Sequence, residues 1–271
     1  ERSGLIELSI RIQEDGRITP WLAKALTKNR IVNLSQAMGE FVLPQTGNTL
    51  LMIAGGSGIT PFRSMLQQLA LSASTLSTAT KPAEVTLMYY ARSQQHFLFQ
   101  KELEELSEQN EWLTVEFIDS EQNGFFNEDH LVQSCPSANS RQVYICGPGP
   151  MITATRQVLN DGAFSESQIH FEFFGPEPVD QAQTGAANIL FKKADKQISV
   201  DSENTKSLLD LAEENNTSPT SGCRIGVCHQ CICKKQSGVV YNSKTKQYSD
   251  TGSEEIQLCI SVPVGDVVLD L

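Results

Sequence analysis

The sequence predicts three kinds of fold in one chain. They are part of an antiparallel β-barrel, an α/β domain on a parallel sheet, and a small α+β domain holding a cysteine loop. Three observations carry this prediction. Polar and apolar residues alternate through the first 46 positions, the pattern of strands with one wet face. Continuous apolar runs separated by helical patterns follow, as in parallel strands covered on both faces. Three cysteines then crowd into nine residues, with a fourth 28 positions later.

The chain has 271 residues, enough for one large domain or two small ones. It carries 21 Lys and Arg against 32 Asp and Glu, a net charge of −11, which argues against a nucleic-acid partner. No apolar run approaches the ~18 residues of a membrane helix. The opening ERSGLIELSIRI shows no apolar core after a basic start, so no secretory signal is visible. A cytoplasmic location is therefore expected, and in that setting the seven cysteines point to metal ligation before disulfides.

Residues 1–46 contain the alternating segments LIELSIRI, RIVNLSQ and GEFVLP, with a short helix over Trp21 to Thr27. Within 47–176 the buried strands are read at Leu50–Ala54, Val85–Tyr90, Leu113–Ile118 and Val143–Cys146. Helices are read at Pro61–Leu71, Phe99–Leu106 and Met151–Leu159. Residues 177–188, within the Gly-, Pro- and Gln-rich stretch Gly175 to Asn188, read as a linker. In 189–271 a hairpin is expected at Ile189–Phe191 and Lys196–Val200, and an amphipathic helix over Ser207–Asn215. Strands near Val239–Tyr241 and Val267–Leu271 close the chain.

Cys223, Cys228 and Cys231 in CRIGVCHQC, with Cys259 in QLCISVP, give C-x4-C-x2-C and a distant fourth cysteine, the plant-type [2Fe-2S] spacing. Two irons each need two thiolates, and Gly226 lets the loop backbone approach the sulfurs. A structural zinc site would more usually show paired C-x2-C motifs, and only one is present. The stretch from Ile189 to Leu271, including SLLDLAEEN and LCISVP-x-GDVVLDL, resembles plant-type ferredoxins. That resemblance implies a β-grasp fold with Cys223, Cys228, Cys231 and Cys259 as cluster ligands. Cys233 is read as packing and His229 as a polar residue near solvent. Asp210, Glu213 and Glu214 are read either as a surface that steers a basic partner or as a solvated face.

LLMIAGGSGITPFRSML joins a strand to a helix through glycines, where backbone N–H groups and the helix N-terminus can receive a pyrophosphate. By itself it reads sooner as a plain turn than as a nucleotide site, and it lacks the G-x-G-x-x-G spacing. VYICGPGPM repeats the arrangement at a second strand end. The order GGSGITP, YYARS, YICGPGPM, FEFF resembles the ferredoxin–NADP reductase family across residues 1–176. The resemblance implies that Gly55, Gly56, Gly58, Ile59, Thr60 and Pro61 line the pyrophosphate and nicotinamide. Cys146, Gly147, Pro148 and Met151 would face the nicotinamide. Glu172 and Phe174 match the E-x-F ending whose aromatic ring shields a flavin, while Phe173 is read as core. Arg92 and Ser93 fall where the adenosine ribose is read. An arginine without an acid there suits NADPH over NADH, and it reads equally as an exposed surface arginine.

In the same resemblance, Gly16 and Thr19 open a helix onto a flavin diphosphate, which indicates FAD before FMN, and Gly39 and Phe41 belong to the barrel's closing strand. The family's R-x-Y-[ST] flavin strand occurs nowhere in these residues, so it would precede Glu1, and weak or absent flavin binding is expected here. The implied function is an oxidoreductase taking electrons from NAD(P)H through flavin to a [2Fe-2S] cluster. The acceptor would be a partner protein: a fatty-acid desaturase, an oxygenase or a hybrid-cluster protein, peripheral to a membrane if the partner is membrane-bound. The alternative is a ferredoxin-like one-electron carrier without flavin activity. A redox-sensing regulator would need an effector segment, and none is visible.

Overall fold

The computed structural model describes residues 6–12, 16, 18–28, 30–34, 36–44, 49–75, 84–136, 138–162, 164–174, 179 and 183–271. The chain divides into two units, residues 1–37 with 42–124, and residues 38–41 with 125–271.

The first unit contains α1 (Ile18–Ala25), β1 (Leu50–Gly55), α2 (Ile59–Thr75), β2 (Val85–Ala91), α3 (Gln100–Gln109), β3 (Leu113–Asp119) and α4 (Ser120–Asn123). An unbroken apolar run needs cover on both faces of its sheet, and β1 and β2 are buried at every residue. The three strands are parallel in the order β3-β2-β1, with Leu50 beside Val85 and Val85 beside Leu113. α4 is short and begins on Asp119, whose Oδ1 accepts the N–H groups of Glu121 and Gln122 at 3.0 and 3.2 Å.

The alternating segments of 1–46 depart from expectation. Among the described residues they form no ladder, and Ile6, Ile10, Ile31, Leu34 and Val42 stay exposed. Alternation supplies two side-chain faces, but a strand also needs a neighbour's N–H and C=O groups about 4.8 Å away. Among the described residues no such ladder is assigned to them. α1 forms three residues earlier than expected and buries no side chain.

The second unit opens with α5 (Glu128–Ser134), β4 (Gln142–Gly147), α6 (Gly149–Asp161) and β5 (Ile169–Phe173). β4 and β5 pair in parallel from Val143 beside Ile169 to Gly147 beside Phe173. Asn127 caps α5, its Oδ1 accepting the His130 N–H at 2.9 Å. Next come β6 (Ala187–Phe191), β7 (Lys196–Val200), α7 (Leu208–Glu214), β8 (Ile232–Ser237), β9 (Val240–Asn242), β10 (Gln247–Tyr248), β11 (Glu254–Gln257), β12 (Ser261–Pro263) and β13 (Val267–Leu269). β6 starts two residues before the expected hairpin, inside the stretch read as linker, because Ala187 already pairs with Val200.

These strands form a mixed sheet in the order β11-β8-β13-β6-β7 and a small antiparallel sheet, β10-β9-β12. α7 buries Leu208, Leu209, Leu211 and Ala212 in a core with Ile189, Phe191, Val267 and Leu269, the β-grasp arrangement of a sheet curled on one helix. Ser207 caps α7, accepting the Asp210 N–H at 3.2 Å. Sequence reasoning missed a buried cation. Lys235 on β8 has no exposed side-chain surface, and its Nζ donates to the carbonyls of Gly238, Asp250 and Gly252 at 2.8, 2.6 and 2.7 Å. Its three protons are thereby used. Glu254 Oε1, 3.1 Å away, meets the charge but has no hydrogen-bond donor.

Candidate functional site

The loop entering β8 is shaped by three residues in the left-handed region, Arg224 (φ 60°), Gly226 (φ 72°) and His229 (φ 57°). They curl the backbone so that the N–H groups of Ile225, Val227 and Cys228 point at Cys223 Sγ, at 3.5, 3.3 and 3.3 Å. The Cys223 N–H in turn meets Cys228 Sγ at 3.2 Å. The loop has no room for larger residues at two positions. A Cβ at Gly226 would lie 2.7 Å from Ile260 Cδ1, and one at Gly222 would lie 2.9 Å from Cys228 Sγ. Gln257 Nε2 fixes the loop from the sheet side by donating to the Gly226 carbonyl at 3.1 Å. Cys231 and Cys259 are buried, and the Leu258 N–H donates to the Cys231 carbonyl at 3.1 Å.

Two of the thiols differ sharply in acidity. Burial would push the Cys223 thiol up, but three backbone N–H groups hold its thiolate and bring it down to about 7. Cys259 is pushed up to about 12, first by burial and then by its neighbour Cys231. N–H groups aimed at sulfur are what a negatively charged iron–sulfur cluster requires, so the donor set fits a [2Fe-2S] centre. Among the described residues no three His, Cys, Asp or Glu side chains converge on one point. A two-iron cluster does not require that, since each iron takes two thiolates.

The remaining loop residues are placed as follows. Cys233 is buried in the core and His229 is exposed. The acids of α7 do not form a free patch. Arg224 Nη2 donates to both Glu213 oxygens at 2.6 and 2.8 Å, its Nη1 lies 3.5 Å from Asp210, and Lys206 holds Glu214 at 2.8 Å. Two cations thus face three carboxylates, so one of the three negative charges stays uncompensated on this exposed face.

In the first unit, Gly55 to Gly58 form one tight turn that delivers the chain into α2. Gly56 has φ 54° and open space where a Cβ would stand, a cradle free for a ligand. Tyr89 pins the turn: its hydroxyl donates to the Gly56 carbonyl and accepts the Leu98 N–H, both at 3.0 Å. Thr60 Oγ1 donates to the Ser57 carbonyl at 3.0 Å, and Ile59 is buried. Pro61 sits in the first turn of a 17-residue helix, where it has no N–H to leave unpaired, and the Ile59 N–H before it donates to the carbonyls of the glycine turn. Arg92 is exposed at the end of β2. Beside it the Ser93 hydroxyl and His96 Nδ1 are 2.8 Å apart.

In the second unit, Cys146 and Glu172 are cross-strand partners on β4 and β5. Cys146 is fully buried, and its thiol is raised by burial first and by the Glu172 charge second, so it stays protonated. Burial also raises the Glu172 carboxyl. Gly147 is buried, Pro148 is exposed and caps α6, and Met151 is half-buried in its first turn. Gly39 (φ 115°) lies near Glu172, whose Oε1 would be 3.6 Å from a Cβ there. Phe41 packs edge-on to Tyr144 at 5.5 Å, and Tyr144 stacks on His170 at 4.7 Å. Phe174 is 54% exposed, leaving its ring free to cover a planar ligand, while Phe173 is half-buried and outside the core expected for it. Gly16 is described, and Thr19 lies in the first turn of α1.

The family model described as the oxidoreductase NAD-binding domain matches residues 52–157, and the 2Fe-2S iron-sulfur cluster binding domain matches 191–264. A carnitine monooxygenase reductase subunit of Acinetobacter baumannii is 30% identical over 243 residues, covering 89% of this chain and 70% of the relative. An NADPH oxidoreductase of Mycobacterium tuberculosis is 26% identical over 268 residues, covering 98% of this chain and 67% of the relative. Among solved structures, full-length CYP116B46 from Tepidiphilus thermophilus superposes with a TM-score of 0.51 at 20% identity, over 96% of this chain and 33% of that one.

Proposed function

The chain belongs to the ferredoxin–NADP reductase family, in the branch that carries a fused plant-type [2Fe-2S] domain, and from that premise we propose that it is the reductase of an oxygenase system. It is an NAD(P)H-dependent oxidoreductase whose cofactors are a flavin and a [2Fe-2S] cluster. When bound, these groups would supply the electron chemistry: two-electron exchange at the nicotinamide, one- and two-electron exchange at the flavin, and one-electron exchange at the cluster.

The chain's own residues bind and orient those groups. Gly55, Gly56 and Gly58, with the N-terminus of α2, receive the pyrophosphate; Ile59, Thr60 and Pro61 follow them toward the nicotinamide. Gly147, Pro148 and Met151 also contact the nicotinamide, next to the neutral thiol of Cys146. Glu172, Phe174, Gly39 and Phe41 face the flavin ring, and Gly16 and Thr19 face its diphosphate, which makes FAD the flavin. Arg92 and Ser93 read the ribose, and the exposed guanidinium favours NADPH, since it pairs bidentately with a 2′-phosphate. We assign residues 1–46 to the flavin domain, 47–176 to the nucleotide domain, 177–188 to the linker and 189–271 to the cluster domain.

One observation carries this reading: three backbone N–H groups converge on Cys223 Sγ in a loop that also holds Cys228 and leads to Cys231. Of the acceptor classes expected, an oxygenase is favoured by the relative described as a monooxygenase reductase subunit. The test is an anaerobic visible spectrum before and after NADPH. Flavin and iron–sulfur bands that bleach on NADPH are expected. Iron–sulfur bands that respond to dithionite but not to NADPH would instead support the one-electron carrier.

A further inference from the structure

Gln257, the last residue of β11, lies two positions before the ligand Cys259. Its main chain is held from two sides. It pairs with Ile232 of β8, the residue after the ligand Cys231, and its carbonyl accepts the buried Ser261 hydroxyl at 2.8 Å. The next N–H, that of Leu258, donates to the Cys231 carbonyl at 3.1 Å. From this fixed base the side-chain amide reaches the Gly226 carbonyl at 3.1 Å. That carbonyl belongs to the same peptide plane as the Val227 N–H, which points at Cys223 Sγ from 3.3 Å. In a trans peptide the C=O and N–H point in opposite directions, so holding one aims the other. On its other side, the Gly226 N–H favours the Cys259 thiolate. The glycine that Gln257 holds thus serves two ligand sulfurs.

We propose that Gln257 is a positioning residue that raises the cluster's reduction potential by keeping the Val227 N–H on Cys223 Sγ. The reduced cluster carries one more negative charge than the oxidised one, so an N–H aimed at its sulfur stabilises the reduced form more. Gln257 strengthens that effect in two ways. It fixes the direction of the peptide, and by donating to the carbonyl it polarises the peptide and makes its N–H the stronger donor. The inference rests on the reading of the loop as a [2Fe-2S] site. It gives a side chain outside the loop part of the control over the electron affinity of that site.

The test uses the full chain with its cluster loaded, poised at fixed potentials with dithionite and redox mediators and read from its visible and EPR signals. Dithionite supplies the one electron that each cluster takes up, so neither NAD(P)H nor flavin is involved. Gln257→Met keeps the length of the side chain and removes the donor. At the potential where the unaltered cluster is half reduced, the oxidised-to-reduced ratio of this variant is expected to rise about three- to tenfold, tenfold being about 59 mV for one electron. Gln257→Asn keeps the amide but draws it back by one methylene, and its ratio is expected to fall between the two. Ser261→Ala removes a hydrogen bond at the same strand end, also two positions from Cys259, without touching the Gly226 peptide. It is expected to change the ratio less than about twofold. Equal shifts in Ser261→Ala and Gln257→Met would mean that any loosening of this strand moves the potential, and would overturn the proposal. So would an unchanged or more positive potential in Gln257→Met. If Gln257→Met takes up no cluster, Gln257→Asn decides by the same criterion. Absence of iron–sulfur bands from the unaltered, reconstituted chain would instead overturn the reading of the loop itself, and the proposal with it.

Discussion

Gly226 bears two constraints at once, a positive φ and a Cβ position already occupied by Ile260. Gly226→Ala is therefore expected to cost about 1–3 kcal/mol in the folded loop and to lower cluster content, read from the visible spectrum per mole of protein. Cys228→Ser removes a ligand outright and is expected to abolish those bands. Arg92→Ala is expected to raise the KM for NADPH about tenfold while leaving that for NADH nearly unchanged, since a 2′-phosphate pair is lost only with the former. Equal changes for both nucleotides would remove the 2′-phosphate role. The cysteine spacing and Gly226 were legible because they form a local pattern. The destination of Arg224 was not, because its partners Glu213 and Asp210 lie on another element, and no spacing rule links them.

β8 shows how much one element can depend on a single side chain. Its burial alternates, with Cys233 and Lys235 inward, but no strand was read there from the sequence, since a run of Lys234, Lys235 and Gln236 gives no apolar period. The partners of Lys235 are the carbonyls of Gly238, Asp250 and Gly252, and one ammonium thereby ties β8 to the loops on either side of β9 and β10. Lys235→Met leaves three carbonyls and Glu254 without the charge and is expected to destabilise the domain by about 3–5 kcal/mol in urea unfolding. Adding Glu254→Gln should recover part of that loss. α4 and α5 escaped sequence reading because each rests on one capping side chain, Asp119 or Asn127, rather than on a sustained apolar period. The barrel segments read in 1–46 had the right period. A period reports only a strand's faces, and whether a ladder forms depends on a neighbouring strand.

Across the whole chain the sequence was most legible where burial is complete, in β1, β2 and the α7 core, and least so where structure depends on distant polar pairing. One pH response follows at this scale. Burial lowers the His170 pKa, so the unfolded chain takes up that proton first as pH falls from the ordinary value near 6.5. The native state therefore binds fewer protons in that window, and stability is lost on acidification. His170→Gln should flatten this slope in unfolding curves taken between about pH 5 and 7.5. The cysteines carry a further consequence. All seven are free of disulfides; five are buried, and only Cys223 and Cys228 are partly exposed. A thiol reagent such as DTNB should therefore count close to zero groups on the cluster-loaded chain and about two quickly on the folded chain stripped of metal. It should count all seven in denaturant, so that one colorimetric titration separates loss of the cluster from loss of the fold.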